Sequence, residues 1–172
     1  MRTAVVMFMA LLLFCTLPAN AQEDRMNFSG EWVMNADKSD MGGGQGGRSG
    51  RGGRGMMGGG RMVVKHQGDT LSVETFRMNR DGEEVSSLTV YILDGKAHDM
   101  ETSFGTQVSA AGWDDDGKAL TIESRRTMSR GGQEFTMDSL EKWSLKDGSL
   151  VIESVRTTPR GDMESTRVYD KE

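Results

Sequence analysis

The chain has 172 residues, 35% of them hydrophobic, with 21 Lys or Arg against 26 Asp or Glu and a formal net charge of −5. That is one domain's worth of sequence with a thin core, which excludes a multidomain enzyme and a polytopic membrane protein. The only cysteine, Cys15, lies in the apolar N-terminal run, so a disulfide-stapled miniprotein is excluded too.

Residues 1–21 read as an export signal: Arg2 is followed by an almost unbroken apolar run from Ala4 to Leu17, then Pro18, Ala19, Asn20 and Ala21. Cleavage is expected after Ala21, because the apolar run falls short of the roughly 20 residues that span a bilayer. Residues 22–172 are then a single domain. A strand is expected over 28–35, and the composition changes abruptly after it. Twelve of the 19 residues from 42 to 60 are glycine. So few side chains cannot pack, and 41–60 reads as a flexible Gly/Arg/Met-rich loop. No acid lies between Asp40 and Asp69, while Arg48, Arg51, Arg54, Arg61 and Lys65 make that stretch basic.

From residue 61 onward strands alternate with turn signals every 8 to 12 residues. The expected strands are 62–67, 70–78, 83–93, 97–103, 107–113, 118–128, 133–145, 149–157 and 163–170. The turns between them carry Gly68-Asp69, Asp81-Gly82, Asp94-Gly95, Gly105, Asp116-Gly117, Gly131-Gly132, Asp147-Gly148 and Pro159 to Asp162. No segment of the mature chain carries an apolar stripe at helical spacing. Leu71-x-Val73-Glu74, Leu120-x-Ile122-Glu123 and Leu150-x-Ile152-Glu153 repeat one solution, apolar on one strand face and acidic on the other. A long antiparallel meander disposes of its edges by closing, so the expected fold is all-β, an up-and-down barrel of about 8–10 strands.

Phe28-Ser29-Gly30-Glu31-Trp32-Val33-Met34-Asn35 with Asp37-Lys38-Ser39, then Tyr91 to Lys96, Glu141 to Leu145 with Asp147-Gly148, and Val168-Tyr169-Asp170-Lys171 together resemble a family of exported bacterial lipocalin-like proteins of mostly unknown function. Gly30 and Trp32 also match the Gly-x-Trp of lipocalins proper, in which the tryptophan closes one barrel end. The helix that follows the barrel in those proteins has no counterpart among these residues. The resemblance implies a calycin-type barrel able to hold a small apolar ligand, with a long first loop at its mouth. It also implies a periplasmic or secreted location, and no ligand motif transfers with it.

A barrel of this size is either filled by its own side chains or left open for one small molecule. Alternation nominates Leu71, Val73, Leu88, Val90, Ile92, Val108, Ala110, Leu120, Ile122, Leu150 and Ile152 as lining. Arg126 and Arg156 each follow an inward isoleucine by four residues, so period 2 turns both inward. Inward arginines near a mouth suit the carboxylate of a fatty-acid-like ligand. The candidate ligand site is therefore Arg126, Arg156, Ile122, Ile152 and Val90, with Trp32 at the barrel end.

Other chemistry is thinly represented. With His66 and His98 the only histidines, no nucleophile motif stands beside either, and no enzyme is expected. Neither a cofactor nor a metal is expected. Met41, Met56, Met57 and Met62 near His66 are soft donors suited to Cu(I), but their spacing is irregular. Asp114 to Gly117 lacks the alternating ligands of a calcium loop and reads as a hairpin turn. Arg48 to Gly55 is like an arginine-glycine box, but without aromatics in an exported chain it argues against nucleic acid. Two functional readings remain: a monomeric barrel that binds a small apolar or amphipathic molecule, or a packed barrel that contacts an anionic envelope surface through Arg48, Arg51 and Arg54.

Overall fold

A computed structural model describes residues 25–42, 60–79, 81–102, 105–130, 133–158 and 161–172. The expected leader and most of the glycine-rich loop, including Arg48, Arg51, Arg54, Met56 and Met57, lie outside these residues. Ten strands run in chain order: β1 (Gly30–Met34), β2 (Arg61–Gln67), β3 (Thr70–Met78), β4 (Glu84–Ile92), β5 (Ala97–Thr102), β6 (Gly105–Trp113), β7 (Ala119–Arg130), β8 (Gln133–Lys146), β9 (Ser149–Thr158) and β10 (Gly161–Lys171). They form one antiparallel sheet ordered β4-β3-β2-β1-β10-β9-β8-β7-β6-β5, so the first strand pairs with the last and the sheet curls into a nearly closed barrel. The all-β meander expected from the turn signals is thus the observed fold.

Turn chemistry fixes this meander. Between β8 and β9, Asp147 (φ 51°) and Gly148 (φ 79°) join Lys146 directly to its partner Ser149. Positive φ at both central residues matches the strand twist and favours Asp-Gly. Among the described residues the seam between β4 and β5 carries no ladder. It is pinned at one end, where Leu93 N donates to Asp69 O and Gly95 N to Ala111 O, both at 2.8 Å.

The core gathers at that same end. Five of the six apolar members of the repeated strand pattern, Leu71, Leu120, Ile122, Leu150 and Ile152, are at most 1% exposed, and the sixth, Val73, is 6% exposed. Residues 25–29 cross the end and seal it: Phe28 stacks on Trp113 at 5.6 Å and meets Trp143 edge-on at 6.1 Å. The Trp32 indole N–H donates to Phe28 O at 2.9 Å, and Met26 N to Gly117 O at 3.2 Å. Trp32 therefore packs the closed end, as the lipocalin resemblance implies. The chain then follows the edge of β10: Asn35 N donates to Val168 O and Asp40 pairs with Thr166. Gly42 lies so near Glu164 O that a Cβ would collide with it, which only glycine avoids.

Candidate functional site

The half of the interior away from the sealed end is polar. On β7 the inward residues beyond Leu120 and Ile122 are Ser124 and Arg126, because alternation holds through an unbroken register with β6 and β8. Across β6, Gln107 and Ser109 share this face and are 5% and 3% exposed. Arg126 Nε donates to Gln107 Oε1 at 3.1 Å, and one terminal guanidinium nitrogen donates to the same oxygen. Gln107 Nε2 in turn donates to Ser109 Oγ at 2.9 Å and Ser124 Oγ at 3.3 Å, and the two hydroxyls bond each other at 2.8 Å. The glutamine is saturated by these contacts. Arg126 is not: most of its five N–H donors remain unspent, and no carboxylate pairs with it among the described residues.

A second cation nearby is neutralised. Arg167 on β10 donates to Glu141 Oε1 at 2.7 Å, and the Trp143 indole N–H holds Glu141 Oε2 at 3.0 Å. Burial alone would lower the Arg167 pKa, and the Glu141 carboxylate together with Tyr169 more than offsets it, so the guanidinium titrates higher than usual. Tyr91 looks into the same space. Burial raises its pKa well above 10, Glu141 raises it further, and Arg126 and Arg167 pull the other way. Tyr169 is raised by burial against the pull of Arg167. Both phenols therefore stay protonated. The described interior network thus holds two guanidinium ions against one carboxylate.

The nominated residues divide by position. Ile122, Ile152 and Trp32, each at most 2% exposed, make the packed floor beneath the network. Arg126 is part-buried within the network. Arg156 also falls on the inward face, opposite Met163, but sits exposed toward the rim. Val90 is a correction: it lies on the outer face of β4, 41% exposed, with Leu88 at 64% and Ile92 at 38%. Val108 and Ala110 likewise lie on the outer face of β6. Beside these outward residues the inward positions are polar, Thr89 and Tyr91 on β4, Gln107 and Ser109 on β6, which inverts the apolar alternation there. Glu141, Arg167 and Gln107 were not anticipated. Glu141 stands two residues before Trp143 and Arg167 two before Tyr169, so parity with a buried aromatic was the available signal.

The remaining candidates that lie within the described residues resolve as structure, while Met56 and Met57 lie outside them. Asp114 Oδ1 accepts the backbone N–H groups of Lys118 and Ala119 at 2.9 Å, the work of a turn. Burial lowers the His66 pKa, and the ring lies among Phe28 and Trp113 while Met62 is in the core. Among the described residues no group of three or more His, Cys, Asp or Glu is placed to hold a metal. No described helix is long and apolar enough to cross a membrane.

No protein-family model matches the chain, and no curated protein matches it in sequence. Its fold does match solved structures. The zebrafish ileal bile acid-binding protein complexed with cholic acid aligns with a TM-score of 0.53 at 18% identity, over 84% of this chain and 98% of that one. A secretory abundant heat soluble protein from Ramazzottius varieornatus aligns with a TM-score of 0.53 at 12% identity, over 84% and 95%. The chain has the fold of these lipocalin-like barrels. At such identities the likeness concerns the fold alone.

Proposed function

We propose that this protein is an exported, non-enzymatic barrel that binds a small amphipathic anion, with the anionic head at Arg126. The observation that carries this reading is a part-buried guanidinium with unspent donors and no described counter-ion, inside a chain of net charge −5. A guanidinium withdrawn from water attracts an oxyanion through charge-assisted hydrogen bonds. Toward the mouth, the inward positions of the same strands hold Met128, Phe135 and Met137, an adaptable apolar collar for the rest of the ligand. The cholic acid in a neighbour of the same fold is an anion of this kind.

A fluorescent fatty-acid probe tests the proposal directly. Arg126→Ala should weaken its binding about tenfold or more, the worth of one charge-assisted contact. Arg156→Ala, at the exposed rim, should weaken it less. Equal binding by the parent and Arg126→Ala would end the anion-anchor reading.

A further inference from the structure

The wall that carries Arg126 is lined with hydroxyls. Register places Ser109, Ser124 and Ser139 in one row across β6, β7 and β8, and Ser139 opposite Arg156 on β9. One step toward the closed end, Ser154 on β9 faces Ser165 on β10, their hydroxyls 2.7 Å apart, with Glu141 across from Ser154 on β8. All five serines share the inward face with Ile122, Ile152 and Trp143. The same order runs along β3, where the inward Leu71 and Val73 belong to the closed end, at most 6% exposed, and Thr75 follows them toward the mouth. Beyond the packed end, the described interior is therefore richest in hydroxyls across β6 to β10.

A hydroxyl both donates and accepts. In the Ser154–Ser165 pair only one of the two protons is spent between them, so the pair still offers a donor and free lone pairs to whatever lies against it. A plain alkyl chain would displace water from these groups and return nothing. A ligand with hydroxyls along one flank would replace that water bond for bond, and sites built this way discriminate strongly against analogues that lack the partner group. We propose that the serine flank selects anions that are hydroxylated along one face over those with plain hydrocarbon bodies. The inference rests on the anion reading of Arg126 and names the chemical class of its ligand. Ser154 and Ser165 are the residues assigned to this selectivity, because they are part-buried and bond only each other among the contacts described.

The test compares three carboxylates on the full-length protein by isothermal titration: cholate, lithocholate, which has the same skeleton with fewer hydroxyls, and palmitate. The parent should bind cholate at least tenfold more tightly than lithocholate or palmitate. Ser154→Ala/Ser165→Ala should lose most of that preference by weakening cholate while leaving lithocholate unchanged or tighter. If lithocholate or palmitate binds as well as cholate to the parent, the selectivity is overturned without recourse to any variant. The same holds if the double variant weakens all three alike. Binding of palmitate that is lost in Arg126→Ala but indifferent to hydroxyls would retain the anion anchor and sink the serine flank alone. If no carboxylate binds, both fall together.

Discussion

Asp170 accepts hydrogen bonds from Asn35 Nδ2 at 2.6 Å, Ser149 Oγ at 2.8 Å and Lys38 Nζ at 3.0 Å. Donation from Asn35, then Lys38, then Ser149 lowers its pKa to about 2. The ionised carboxylate thus ties the turn after β1 to β10 and to the start of β9, joining the two ends of the described chain. Since the folded pKa lies below the unfolded value of about 3.9, the group contributes stability that is fully present above pH 4 and is lost as pH falls through 2. Asp170→Asn should therefore lower the urea midpoint at pH 7 and flatten the loss of stability between pH 4 and pH 2. Urea melts at pH 7, 4 and 2.5 decide it, and an unchanged acid slope in the variant would show that other carboxylates carry the dependence.

At the scale of the element, the faces of β4 and β7 make opposite demands. Leu88 stands on the outer face of β4 and is 64% exposed, whereas Ile122 stands on the inner face of β7 and is 1% exposed. Leu88→Ser should change stability by no more than about 0.5 kcal/mol, while Ile122→Ala should cost about 2–5 kcal/mol through lost burial and a cavity. Equivalent costs in chemical denaturation would mean that β4 is turned the other way. This contrast also marks where the sequence was legible. Turn residues such as Asp94-Gly95 and Asp147-Gly148 announced the strand count, since their backbone requirements are local. The inward faces of β3, β7 and β9 were readable because they pack apolar side chains, and Arg126 followed from Ile122 by counting. On β4 and β6 the alternation misled, because these strands turn polar or small side chains inward and leave Leu88 and Val90 on the outside. The hydrogen bond between Gln107 and Arg126 joins residues 19 positions apart, a pairing that no local pattern encodes.

Across the whole molecule the interior is divided along the barrel axis. One end is a packed assembly of Phe28, Trp113, Trp143 and the repeated leucines, and the other is a polar network around Arg126 and Glu141. From Ile122 to Arg126 is four residues of β7, about 13 Å at roughly 3.3 Å per residue. That separation gives the two ends different tasks: burial at the sealed end supplies the free energy that fixes the part-buried guanidinium of Arg126 in place at the other. The division predicts that damage to the seal should be felt in stability and not in recognition. Phe28 is 0% exposed and its ring touches three aromatic partners, His66, Trp113 and Trp143. Phe28→Ala should therefore cost about 3–5 kcal/mol. Under conditions where the variant is still folded by circular dichroism, its affinity for the fatty-acid probe should stay within about threefold of the parent, less than 1 kcal/mol. Urea titration and probe binding on the same sample separate the two effects. A folded Phe28→Ala protein that no longer binds would mean that the sealed end shapes the polar network directly, and that the two halves of the barrel act as one.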